Sequence, residues 1–329
     1  MELIVFITLI VLGFFTLIIE DKNLLKWLYI PSAFIFMIIV RFSGFDADII
    51  TYGKEMHSLS HDIYYLREFI FWYSLRFLYF LFQNEIIVFI ILDFIWIYTL
   101  IKIQKTMIID GYRLEKGLII VFLTCFPFLF GYENIYRQFF ATIILLYSYS
   151  LIEFDYKKAI KLFILSFFIH NIVVLILPLF IIKKFFSFRL KDRITIAICL
   201  SVLFVLSLGF LASLKSSEPT RLDMSSFYLM LFSLFFVISL ISFRENIYKL
   251  FKVVPSLLFS IILMIGLVNL DVDMIAERLG MMFIIFLLFD LYKYSNTIEG
   301  ANRKLLRVFL LLGFSIPVFL FASSMKFLM

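Results

Sequence analysis

A chain of 329 residues that is 64% hydrophobic, 20% aromatic and only 16% charged, with mean hydropathy +1.06, holds more apolar surface than a water-soluble core can hide. It reads as an all-α polytopic membrane protein, which excludes a soluble enzyme and a disordered chain alike. The formal net charge of +6 falls in short loops between apolar runs, where membrane insertion and anionic lipid account for it, so no nucleic acid partner is expected.

With a window of about 19 residues, apolar segments fall at 3–19, 24–40, 69–82, 86–103, 117–130, 138–152, 159–182, 194–214, 226–243, 253–270, 279–292 and 305–325. That pattern predicts about twelve membrane segments in a single transmembrane domain over 1–329. The first run follows Glu2 rather than a basic stretch and is succeeded by Glu20 and Asp21, so it reads as a retained helix and not a signal peptide. The longest polar stretch, 41–68, carries five acids against three Lys or Arg and is expected to be an outer, periplasmic loop. Segment 69–82, "FIFWYSLRFLYFLF", is short, aromatic and interrupted by Arg76, as suits an interfacial helix. Cys125 and Cys199 lie inside apolar segments without metal-ligand spacing and read as packing residues.

Charge then sets the topology around the run "KLFILSFFIHNIVVLILPLFIIKK". Loop 153–161 carries three lysines and loop 183–193 carries five basic residues. A single crossing between them would leave twelve later Lys and Arg outside against four inside, contrary to the rule that short cytoplasmic loops collect them. Two short helices, about 157–170 and 171–186, joined at His170 and Asn171, satisfy the rule. At 1.5 Å per residue they reach only about 21 and 24 Å, less than a hydrocarbon core of about 30 Å. The apex is therefore expected below the membrane surface, in an outward-facing, water-accessible cavity. Burial and the positive end of the following helix favour a neutral imidazole there, which suits a general base.

Other candidates fall on the same predicted face. "RFSGFDADIITY" supplies Arg41, Asp46, Asp48 and Tyr52, and Glu68 closes the loop. "FGYENIYRQFF" supplies Glu133, Arg137 and Gln138, and Arg278 leads a later helix. Each arginine alone reads better as a headgroup anchor than as a binding residue. Together, cations facing out of a membrane suit a lipid-linked pyrophosphate, because guanidinium binds phosphate oxygens bidentately and keeps its charge. Displacing that leaving group needs charge stabilisation and a base. The expected catalytic set is thus His170, Asp46, Asp48 and Glu68, and the expected substrate-binding set is Arg41, Tyr52, Glu133, Arg137, Gln138, Asn171 and Arg278. No cofactor and no metal cage is evident, although Asp46 and Asp48 leave a Mg²⁺ site open.

In this order "RFSGFDADIITY", "YRQFFA", "FFIHNIVVLILPLF" and "ERLGMMFIIF" resemble the EpsG-like branch of the Wzy-type polysaccharide polymerases. The family's Gly-x-Asp element, with a tyrosine about four residues after the aspartate, is split here: Gly44 and Asp46 give the first part, while Tyr52 lies four after Asp48. The resemblance implies a GT-C-like architecture and a glycosyltransferase of the bacterial inner membrane. It would join undecaprenyl-pyrophosphate-linked repeat units into O-antigen, capsule or exopolysaccharide, with the bilayer, a chain-length regulator and a flippase as partners. Two alternatives stand beside it. A metal-dependent lipid-phosphate-sugar glycosyltransferase would use "DAD" as its acidic site. A lipid-linked oligosaccharide flippase would carry paired internal repeats, which are not evident, and more helix-breaking glycine than the 11 present.

Overall fold

The computed structural model describes residues 1–44, 47–58, 68–106, 108–109, 112–113, 117–184, 195, 198–199, 224–242, 254–270, 273–298, 300–320, 325 and 328–329. Chain contacts divide it into two compact units, Met1–Val173 with Ser295–Met329, and Val174–Tyr294.

The first unit begins with α1 (Glu2–Ile19). A π-helical turn (Leu25–Tyr29) then runs into α2 (Ile30–Ser43). Next come α3 (Ala47–Met56), α4 (Phe69–Phe82) and α5 (Glu85–Thr106). Two antiparallel two-residue strands, Ile108–Ile109 and Tyr112–Arg113, lead on to α6 (Leu118–Thr124). The unit continues with α7 (Phe126–Glu133), α8 (Tyr136–Leu151) and α9 (Tyr156–Ile169), and closes with α14 (Gly300–Leu320). The second unit holds α10 (Leu177–Lys184), α11 (Met224–Ser242), α12 (Pro255–Leu270) and α13 (Asp273–Ser295).

Among the described residues three helices are long and apolar enough to cross a membrane: Glu2–Ile19, Leu25–Ser43 and Glu85–Thr106. Shorter apolar helices include Phe69–Phe82 and Pro255–Leu267. The expected segment 69–82 is one helix with the same ends. The expected segment 117–130 is two helices instead, because Cys125 takes an extended backbone (ψ 151°) and Pro127, which has no N–H to donate, starts a new helix. Residues 41–68 are not a plain loop: α2 runs to Ser43 and α3 occupies Ala47–Met56. Segment 194–214 lies almost wholly outside the described residues.

Within the first unit α8 is the central helix. Nearly every residue from Tyr136 to Leu151 is buried, as expected of a helix apolar all round. It packs on α5, α7 and α9, and the Ser148 hydroxyl donates to the Ala159 carbonyl at 2.5 Å to tie α8 to α9. Gly131 permits the sharp α7–α8 turn, since a Cβ there would meet the Phe139 ring at 2.7 Å. The chain ends are stapled together: Arg303 and Arg307 reach Glu20 at 2.9 and 3.1 Å, and Lys304 donates to the Ile18 carbonyl at 2.7 Å. That carbonyl belongs to the last turn of α1, whose C=O groups have no intrahelical partner. In the second unit, Asp290 accepts from the Ser256 hydroxyl at 2.6 Å at the start of α12, and the buried Lys183 lies over the Phe289 ring at 5.2 Å.

Candidate functional site

Four elements of the first unit converge on one carboxylate. Helix α9 ends at Ile169 because His170 leaves the helical region (φ −154°, ψ 121°), and a 3₁₀ turn begins at Asn171. The break frees the first N–H of the new turn from any helical acceptor. Glu68, at the head of α4, supplies one: its Oε1 accepts from the Asn171 N–H at 3.0 Å. The same oxygen lies 2.6 Å from His170 Nδ1, and Oε2 lies 2.8 Å from Nη1 of Arg137, the second residue of α8. Two bare acceptors at 2.6 Å would repel, so Nδ1 carries the proton and donates it toward Glu68. In the neutral tautomer that donates from Nδ1, the remaining ring nitrogen, Nε2, is the proton acceptor.

Glu68 sits where a carboxylate usually caps its own helix, but makes no such cap and turns to the other segments instead. It is 4% exposed and His170 7%. Burial pushes the Glu68 carboxyl upward; His170 beside it, Arg137 and the Asn171 N–H outweigh that and hold it below the usual carboxylate range. An aromatic wall closes the cluster. The Arg137 guanidinium lies 4.9 Å from the Trp72 ring centre and 5.9 Å from that of Tyr52. Tyr52 packs edge-on against Trp72 and Phe71, and its hydroxyl donates to Asp48 at 3.4 Å, one turn earlier on α3.

Arg41 belongs elsewhere. It is 1% exposed and forms a bidentate pair with Asp93 of α5, at 2.9 and 3.2 Å. Asp93 also accepts from Tyr132 at 2.9 Å, Tyr136 at 2.7 Å and the Trp96 indole at 3.0 Å. The guanidinium lies 3.8 Å over the Tyr132 ring. The expected grouping of Arg41 with the other arginines around one substrate is therefore replaced by a buried ion pair. It ties α2 and α5 to the α7–α8 turn, next to Arg137.

The structure thus brings together Glu68, Arg137, His170, Asn171, Tyr52 and Asp48 from the expected set. Glu133 and Gln138 are buried at the end of α7 and in the first turn of α8. Asp46 lies outside the described residues. Arg278 is half-buried on α13, in the second unit. Among the described residues no three His, Cys, Asp or Glu side chains group as metal ligands would.

Sequence reasoning missed Asp93 and Trp72. Asp93 was detectable: it is the one carboxylate inside the 22-residue α5 beyond its first turn, and a charge in such a helix demands a partner. Trp72 carries no comparable signal in an aromatic-rich helix.

Comparison with the curated proteins and with the solved structures gives no match. The model of the EpsG family matches residues 25–328, nearly the whole chain and all four elements that build the Glu68 cluster. The chain belongs to the EpsG family, membrane proteins related to polysaccharide polymerases.

Proposed function

We propose that this protein is a polysaccharide polymerase that transfers a growing glycan from one undecaprenyl pyrophosphate to the terminal sugar of another lipid-linked repeat unit, on the outer face of a bacterial inner membrane. The observation that carries this reading is Glu68, whose carboxylate gathers His170, Arg137 and the Asn171 N–H from segments far apart in the chain. Family membership supports a polysaccharide polymerase-like role, and the cluster supports the proposed chemistry.

His170 Nε2 takes the proton of an acceptor sugar hydroxyl as its oxygen forms a bond to the anomeric carbon of the donor. The bond from that carbon to the pyrophosphate oxygen breaks, and the electron pair leaves with the lipid pyrophosphate. Glu68 holds the imidazole in the tautomer that accepts at Nε2 and stabilises the imidazolium formed, as the third member of a nucleophile–base–carboxylate array does. Arg137, stacked near Trp72, offers charge to the departing pyrophosphate. The imidazolium then returns its proton to the pyrophosphate or to water. Arg41 and Asp93, paired within the same unit, serve as scaffold for the α7–α8 turn that carries Arg137.

The test is purified protein in liposomes supplied with lipid-linked repeat units. General-base assistance contributes about 10² to 10⁴ in rate, so His170→Gln loses the long-glycan ladder by that factor while inserting at wild-type level. A full-length ladder from His170→Gln rejects the base and moves the role to Asp46 or Asp48.

A further inference from the structure

Lysines and tyrosines from three helices meet at the end of the first unit away from the Glu68 cluster. Helix α8 packs on both α5 and α9. On α5, Lys102 Nζ lies 5.0 Å from the Tyr98 ring centre; Lys158 Nζ, in the first turn of α9, lies 5.3 Å from the ring centre of Tyr147 on α8. The two pairs interlock, because Lys105 and Lys158 lie within electrostatic reach of the Tyr98 hydroxyl and Lys102 within reach of Tyr147. Lys161 stands three residues after Lys158, as Lys105 does after Lys102, so each helix presents a lysine pair on neighbouring positions of one face. Lys158 and His170 are near opposite ends of α9, about 18 Å apart along its axis.

These ammonium groups are left without counter-ions. Among the described residues none of the four lysines has a carboxylate within salt-bridge distance. Glu153 and Asp155 lie in the nearby α8–α9 turn, but Asp155 is committed to capping α9, accepting from the Lys158 N–H at 3.1 Å. Set against the four lysines, these two acids leave a surplus of two positive charges. Further along both helices the exposed surface turns apolar: Phe94, one turn before Tyr98, and Ile164, one turn after Lys161, are each 49% exposed. The order lysine, tyrosine, apolar residue is that of a phospholipid read from phosphate to acyl chain.

We infer that this cluster is a binding site for cardiolipin, whose two phosphates bridge the lysine pairs of α5 and α9 across Tyr98 and Tyr147. A lipid with a single phosphate satisfies one pair and leaves the other uncompensated, whereas a bis-phosphate headgroup matches both pairs and the surplus charge. The rings hold Lys102 and Lys158 in place before the lipid arrives, so less side-chain freedom is lost on binding. Bound there, the lipid ties α5 to α9 over the end of α8.

The experiment takes the full chain in detergent, adds tetraoleoyl cardiolipin or dioleoyl phosphatidylglycerol at equal phosphate, and counts retained lipid by native mass spectrometry. One cardiolipin is expected to stay bound and to resist displacement by phosphatidylglycerol at the same phosphate concentration. A lysine beside an anionic headgroup contributes about fivefold in affinity, so Lys158→Gln weakens binding about fivefold, and Lys102→Gln with Lys158→Gln about thirtyfold. Lys157→Gln removes the same charge one position away, from a side chain that lies over neither ring, and keeps the affinity within about twofold. Equal retention of the two lipids, or equal losses from Lys157→Gln and Lys158→Gln, shows only a diffuse basic surface and overturns the site. Thermal unfolding gives a second reading. Without cardiolipin the double variant melts as the wild type does, and cardiolipin raises the melting temperature of the wild type alone; a rise of the same size in the double variant also overturns the site. No glycan is present in either measurement, so the outcome is independent of the proposed transfer reaction.

Discussion

Replacing Glu68 by glutamine removes one charge and almost no volume, and its consequence is set by three contacts. Oε1 lies 2.6 Å from His170 Nδ1 and accepts from the Asn171 N–H at 3.0 Å, and Oε2 lies 2.8 Å from Arg137 Nη1. An amide offers one oxygen and one NH₂. If the oxygen serves His170 and Asn171, the NH₂ points at the Arg137 guanidinium, donor against donor. If the NH₂ turns to His170, it requires Nδ1 to be the acceptor and moves the ring proton to Nε2, where it blocks base chemistry. In serine proteases the corresponding carboxylate-to-amide change costs about 10⁴ in turnover with geometry intact, and the ceiling here is the whole base contribution of about 10² to 10⁴. Glu68→Gln is therefore expected to lower single-turnover glycan transfer by about 10² or more, while Glu68→Asp, which keeps the charge but shortens the reach, recovers part of the loss. The assay is lipid-linked repeat units in proteoliposomes, resolved by gel and normalised to inserted protein. A Glu68→Gln protein that polymerises within a few-fold of wild type refutes the idea that Glu68 orients the base.

Four further outcomes follow from the same geometry. Asp93→Leu leaves Arg41 buried without its counter-ion, which costs about 3 to 5 kcal/mol; thermal unfolding in detergent should show a large drop, and Arg41→Met with Asp93→Leu should recover much of it, whereas a double variant no more stable than the single one contradicts the ion pair. The folded-state pKa of Glu68 lies below its unfolded value, so its stabilising contribution is complete above the ordinary glutamate pKa and is lost as pH falls through the folded value; the difference in melting temperature between wild type and Glu68→Gln should be flat near neutrality and shrink below about pH 4. Arg137→Lys keeps the charge but loses the planar fork and the contact with Trp72, worth about 0.5 to 2 kcal/mol, and should cut kcat/KM by about 2- to 30-fold; unchanged kinetics would reduce Arg137 to a headgroup anchor. Single cysteines at Lys158 and Lys191, in a background lacking Cys125 and Cys199, should label from the cytoplasm and those at Asp48 and Ser217 from outside; opposite sides for 158 and 191 sink the paired short helices.

Composition and periodicity were sufficient for what depends on local properties. Burying long apolar runs in lipid demands helices, so the ends of the 69–82 helix and the interruption at His170 were legible before any coordinates. The pairing of Tyr52 with Asp48 was not legible, because 41–68 reads as a loop and only the helix Ala47–Met56 puts residues four apart on one face. Nor was partner choice. Arg41, Arg137 and Arg278 look alike in sequence, each at or near the end of an apolar run, and only the packing of α2 against α5 shows that Arg41 is consumed by Asp93. Glu68 and His170 are about a hundred residues apart, and nothing local to either announces the other. Their meeting depends on α4 and α8 packing beside α9, and it was decided by a single unsatisfied N–H at Asn171 and two cationic or proton-donating side chains that a buried carboxylate needs in order to stay charged.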